Sequence, residues 1–279
     1  MPLNVLTPRY YLLISLLFLL TGCVFDDAGN RAALLAKHAG LNSQYLQTAS
    51  FKMRSWQRIS DPAQPVRVYI EGDGFAWMSR SRASDDPTPR QPTGLMLAAA
   101  DPSENVLYLA RPCQFIGPPM PPECRPTWWT DSRFSPTVVQ AMDEALSQAL
   151  APWPGITIEL VGYSGGGGIA ALIAARRKDV RSLRTVAGNL DVAYVNAVHH
   201  VSAMPNALSA INAAPQLASL PQIHFIGSAD TTVPPEVARR FQQAAGGRCV
   251  RVEEVKGKAH GSDWASIWPS LLRQPPQCQ

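Results

Sequence analysis

Charge is scarce in this chain: only 16% of its residues are Asp, Glu, Lys or Arg, against about a quarter in an ordinary soluble domain. No dense stripe of Lys and Arg occurs, and the formal net charge is a mild +4. That argues against a nucleic-acid partner, because phosphate backbones demand clustered cations. No two cysteines show the C-x-x-C spacing of a zinc site or redox pair. His199-His200 has no acidic or cysteine cluster beside it, so a solvated or packed pair is expected rather than a metal site. No internal repeat is present. The apolar run Tyr10–Leu20 is too short for a comfortable membrane span, which takes about 20 residues.

That run has another meaning. Arg9 is the only charge in the first 22 residues, and the run after it ends in Leu20-Thr-Gly-Cys23. A short apolar core with a basic flank and small residues at its end is a secretory signal. Its end resembles the lipobox of bacterial lipoproteins. The resemblance implies a signal peptide over residues 1–22, lipidation of Cys23, and a membrane partner through that lipid. Val24 rather than Asp follows the cysteine, which by the same resemblance implies an outer-membrane protein facing the periplasm. Four cysteines then remain: Cys113, Cys124, Cys249 and Cys278. An even number suits an oxidising compartment. Three pairings are open, and local closure favours Cys113 with Cys124 and Cys249 with Cys278. The expected organisation is a tether and short helix over 23–47 and one domain over 48–279. The oligomeric state is left open.

Short β-branched runs alternate with helical spacing along the chain. Strands are expected at Phe51–Trp56, Val66–Ile70, Asn105–Ala110, Ile156–Val161, Ser182–Ala187, Gln222–Gly227 and Cys249–Val255. Helices are expected around Ala32–His38, Gly94–Ala100, Ser135–Leu150, Ile169–Ala175, Pro235–Ala245 and Ser262–Leu272. The alternation predicts an α/β fold, a mostly parallel central sheet with helices on both faces.

The most informative stretch is Val161-Gly-Tyr-Ser-Gly-Gly-Gly-Gly168, between a strand and a helix. It contains G-x-S-x-G, with Ser164 on the turn and the small elbow residues Gly162 and Gly166 two positions away on either side. A side chain at either glycine would obstruct so tight a turn. Downstream, Asp230 follows one strand and His260 follows the last. Residues at the C-terminal ends of parallel strands gather at one rim, so Ser164, Asp230 and His260 can meet. In this order and context they resemble the α/β-hydrolase superfamily, over nearly all of residues 50–272. The resemblance implies a serine hydrolase without metal or organic cofactor. Ser164 is the nucleophile, His260 the general base, and Asp230 orients the histidine. Asp191, after the preceding strand, is the alternative acid.

The oxyanion hole needs two backbone N–H donors. Gly165 would supply one. The turn Glu71-Gly-Asp-Gly-Phe75 would supply the other, from Asp73 or, with a shift of two, Phe75. Glu71 stands where relatives often have histidine, and its charge needs a partner; Arg67 and Arg80 are the candidates. Trp128-Trp129 could wall an acyl pocket or simply pack a loop. Residues 192–220 occupy the usual place of a cap, and their small apolar composition suits a lid over an apolar substrate or just helix packing. The expected substrate is a small-molecule or acyl compound, with esterase activity foremost. A peptidase or amidase of the same fold is the first rival, and a non-catalytic binding lipoprotein is the second.

Overall fold

The computed structural model describes residues 28–278. Cys23 and the lipobox lie outside the described residues. Eight strands form one sheet in the order β1-β2-β4-β3-β5-β6-β7-β8. They are β1 (Asn42–Gln47), β2 (Lys52–Ile59), β3 (Val66–Ile70), β4 (Asn105–Leu109), β5 (Ile158–Tyr163), β6 (Val180–Val186), β7 (Gln222–Gly227) and β8 (Val250–Val255). The pairs β1–β2 and β2–β4 are antiparallel, and the pairings from β4 through β8 are parallel.

Strand period two sorts the side chains into two cores. Val66, Val68 and Ile70 face one side with Leu107, Leu109 and Leu160; Tyr69, Val106, Tyr108 and Val161 face the other. The first face is covered by α3 (Pro136–Leu150), α4 (Gly165–Ala174), α6 (Ala210–Ala213) and α7 (Glu236–Ala245). The second is covered by α1 (Ala28–His38), α2 (Thr93–Ala99) and α8 (Trp268–Leu272). Ser135 caps α3, accepting the Val138 N–H, and Pro136 fills the first position. One further helix, α5 (Val192–Val198), is capped by Asp191.

Two sequence expectations change. Residues 42–47, read as tether, form the edge strand β1, and α1 packs its Ala32 and Ala36 into the second core. The signal was weak because β1 has one buried residue, Leu46, among polar ones. The closing helix is only Trp268–Leu272, because residues 262–267 form turns held by the Ser262 and Asp263 side chains. In the cap candidate 192–220, Ala210, Ala213, Ala214 and Leu217 are core residues against α4 and α7. Small side chains there permit close helix packing. The cysteines form two disulfides, Cys113–Cys124 and Cys249–Cys278. Trp129 is buried and donates its indole N–H to Ser84 O, and Trp128 packs edge-on to Phe51. That pair anchors its loop.

His224 lies fully buried in β7, with Nδ1 2.8 Å from Thr185 Oγ1 and Nε2 3.0 Å from Gln222 Oε1. Burial pushes it from an ordinary 6.5 down to about 3. The folded state therefore refuses a proton that the unfolded chain accepts. Its contribution to stability is full above pH 6.5 and falls toward pH 3, by about 1.4 kcal/mol per unit. Urea unfolding at pH 7 and pH 4.5 should show this loss in the wild type and a smaller one in His224→Gln. Equal losses would mean that other groups carry the acid sensitivity.

Candidate active site

Ser164 sits between β5 and α4 with φ +50° and ψ −123°, a conformation that side chains seldom adopt. Its backbone is fixed on both sides. The Ser164 N–H donates to Val186 O at 3.0 Å, while Ser164 O accepts from Gly167 at 2.9 Å and Asn189 at 2.8 Å. The elbow glycines are required by close approach. A Cβ on Gly162 would stand 2.3 Å from Gly166 O, and one on Gly166 would stand 2.3 Å from Ile70 O.

His260 reaches the serine from the turn after β8. Its Nε2 is 2.9 Å from Ser164 Oγ, and its Nδ1 is 2.8 Å from Asp230 Oδ2. Asp230 is buried and divides its oxygens. Oδ1 accepts the Thr232 and Val233 N–H groups at 2.9 and 2.8 Å, building the turn, and Oδ2 faces the imidazole. Asp191 is committed elsewhere. It caps α5 through the Tyr194 N–H at 3.1 Å and pairs with Arg240 Nε at 3.0 Å.

Two groups not foreseen from sequence hold the histidine loop. The His260 carbonyl accepts from Tyr163 Oη and from Trp264 Nε1, each at 3.1 Å. The Tyr163 and His260 rings also lie 5.4 Å apart, centroid to centroid. The only sequence signal for Tyr163 was its place beside Ser164. His199, by contrast, has its Nε2 2.7 Å from Thr232 O, on the loop that carries Asp230.

The turn after β3 faces Ser164. Phe75 donates its N–H to Pro87 O at 3.0 Å, so its amide is spent. The Asp73 amide has no hydrogen-bond acceptor among the described residues, and Gly165, as the first residue of α4, has no intrahelical partner for its N–H. Of the candidates read from sequence, Asp73 and Gly165 thus keep amides free to donate. The Asp73 carboxylate lies against Gly165, where a Cβ would stand 2.0 Å from Oδ1. It is clamped by Arg111 Nη1 at 3.1 Å and Arg133 Nε at 3.0 Å. Burial pushes the Arg111 guanidinium down from its usual range, and Asp73 opposes that shift.

Glu71 corrects an expectation: neither Arg67 nor Arg80 is its partner. Arg67 pairs with Asp101 and Glu159, and Arg80 is exposed. The buried Glu71 carboxylate accepts four neutral hydrogen bonds instead. Oε1 takes the Gly72 and Gly94 N–H groups at 2.9 and 3.0 Å; Oε2 takes the Leu95 N–H and the Tyr108 hydroxyl at 3.2 and 2.9 Å. Burial pushes this carboxyl above its usual range, while the four donors pull the other way. Sequence could not show this, because three of the four donors are distant: two backbone amides of α2 and a tyrosine on β4.

Ser164 and His260 open into a cavity of about 350 Å³ that is also lined by Gly72, Asp73, Phe75 and Arg90. The Arg90 guanidinium lies 3.9 Å over the Phe75 ring. No residue of 192–220 lines this cavity, nor does Trp128 or Trp129. Chemically, the arrangement offers a hydroxyl, an acceptor for its proton, a carboxylate behind that acceptor, and two amides nearby.

No protein-family model matches the sequence, and no curated protein matches it. Solved structures do. A bacterial membrane phospholipase A has 16% identity and a TM-score of 0.59, with 96% of this chain and 98% of that one covered. A putative lipase from Acinetobacter baumannii AYE has 14% identity and a TM-score of 0.60, covering 91% and 98%. An acylaminoacyl peptidase from Pyrococcus horikoshii has 13% identity and a TM-score of 0.58 over 84% of this chain. The chain spans about 40% of that peptidase's length. With the sheet order above, these likenesses show that the chain has the α/β-hydrolase fold.

Glu71→Gln tests the buried carboxylate. Each oxygen accepts two donors, so either orientation of the amide sets an NH₂ against N–H or O–H groups. The variant should lose about 2 kcal/mol or more in urea unfolding, the range for a buried polar group left unpaired. Unchanged stability would mean that the carboxyl already carries a proton and donates one of these bonds itself.

Proposed function

We propose that this chain is a serine hydrolase that cleaves carboxylic esters through a covalent acyl-enzyme. The reading rests on one observation, the unbroken hydrogen-bonded series Ser164 Oγ, His260, Asp230 beside a cavity. His260 Nε2 takes the hydroxyl proton as Ser164 Oγ bonds to the substrate carbonyl carbon. Asp230 keeps the other ring nitrogen protonated and stabilises the imidazolium that forms. The carbonyl oxygen becomes an oxyanion and is met by the Asp73 and Gly165 amides. His260 then returns the proton to the departing alkoxide. Water, deprotonated by the same imidazole, releases the acid and restores Ser164.

The Asp73 carboxylate beside this hole would repel the oxyanion if left bare. Arg111 and Arg133 offset that charge. The acyl-group preference is set by the cavity of about 350 Å³, bounded on one side by the Phe75 ring. We also propose that Cys23 carries the lipid that holds the protein to the outer membrane, facing the periplasm. The support is the Leu-Thr-Gly-Cys sequence at the end of the apolar run.

A fluorophosphonate probe tests the chemistry on the full chain. Wild type should label, Ser164→Ala should not, and His260→Ala should label at least a hundredfold more slowly. Asp230→Asn should fall by about 10³ to 10⁴ in turnover of a nitrophenyl ester, through loss of the correct tautomer. A folded wild type that never labels would remove the proposal. For the anchor, Cys23→Ser should shift the protein from the membrane fraction to the soluble one or leave its signal uncleaved. Unchanged membrane fractionation with normal processing would exclude lipidation at Cys23.

A further inference from the structure

The loop between β3 and α2 carries six consecutive exposed residues midway along it, Trp77-Met-Ser-Arg-Ser-Arg82. This tip is a built turn. Met78 donates its N–H to Arg82 O at 2.8 Å, and Trp77 and Ala83 form an antiparallel bridge. Trp77 and Met78 are 43% and 49% exposed. Among the described residues, large apolar side chains are exposed at only four other positions, and one of them, Val201, lines a cavity with Trp77. Adjacent exposed Trp and Met beside two arginines suit a lipid surface. Methionine enters the acyl region, indole sits at the headgroups, and guanidinium meets phosphate. Arg82 also pairs with the exposed Asp85, at 3.7 Å.

This tip adjoins the proposed catalytic cavity. Phe75 and Arg90 line the Ser164 cavity, and the same two residues line a neighbouring depression that holds Met78 and Ala28. On another side, Trp77 shares a cavity of about 610 Å³ with Arg133, the clamp of Asp73. Ala28 is the first described residue, and Cys23 lies five positions before it. Five residues reach at most about 18 Å, so a lipid on Cys23 would stay near the depression.

We infer that the Trp77–Arg82 turn seats on an anionic phospholipid bilayer, and that the mouth of the Ser164 cavity takes its ester from that bilayer. The substrate class is thus a glycerolipid acyl ester. The chemistry rests on the serine-hydrolase reading; the seat rests on the turn itself and on the position of Ala28.

The full chain is reconstituted in vesicles of phosphatidylethanolamine and phosphatidylglycerol in which a fraction of the headgroups carries a nitroxide, a contact quencher of indole. Wild-type tryptophan emission should be quenched, and Trp77→Phe should lose most of that quenching. Equal quenching in the two proteins, or none in either, overturns the seat. In parallel, the double variant Trp77→Ser with Met78→Ser should hydrolyse vesicle lipid at least tenfold more slowly, with nitrophenyl acetate hydrolysis within twofold of wild type. A parallel fall on both substrates, or a wild type active on the soluble ester alone, overturns the substrate class. A wild type inactive on both overturns the hydrolase reading and the substrate class with it, while the quenching still decides the seat.

Discussion

Ser164 is held at a φ of +50° where strand becomes helix, and the rest of the site is arranged around that strained turn. Such a conformation costs about 1–3 kcal/mol and persists only when the surroundings over-determine it. Here they do. Three backbone hydrogen bonds fix the residue, and the neighbouring chain comes so close that only glycine fits at 162 and 166. The gain is direction: the hydroxyl stands off the sheet toward the loops that follow the other strands. Three of those loops then do the positioning, because parallel strands end at one rim.

Three carboxylates lie close to the serine, and each is satisfied differently. Asp230 meets the imidazole and two backbone amides. Asp73 meets two arginines. Glu71 meets only neutral donors. A buried charge without compensation would cost several kcal/mol, so these pairings decide where negative charge can rest. The charge nearest the Asp73 and Gly165 amides is the one opposed by cations. The Asp230 carboxylate, which faces the imidazole, has no arginine partner among the described residues. Glu71 uses its oxygens as a bracket, joining the turn after β3, the start of α2 and a tyrosine of β4.

Much of this was legible in the chain because periodicity and order are local. The strand-turn-helix around Ser164 is contiguous, and Asp230 and His260 each follow a β-branched run. Sequence order was enough to bring those three side chains to one edge of the sheet. Residues whose meaning depends on a distant partner were not legible. Glu71 was assigned a cationic partner, yet its donors lie 23, 24 and 37 positions away, in addition to its neighbour Gly72. Arg111 and Arg133 had no local pattern at all. The edge strand β1 escaped because its outer face is polar, and the 192–220 segment was ambiguous because alanine serves a lid and a packed core equally well. Asp230 shows why single-residue readings compete. It is a turn-forming aspartate and a histidine partner at once, one oxygen for each.

The Tyr163 hydroxyl bonded to the His260 carbonyl has a consequence for how such a molecule can vary. The side chain just before the serine latches the backbone that presents the histidine, so the two loops form one mechanical unit although 97 positions separate the bonded residues. A loop transplanted around residue 260 inherits a socket shaped by residue 163. Diversification of this edge of the protein must therefore proceed by paired change.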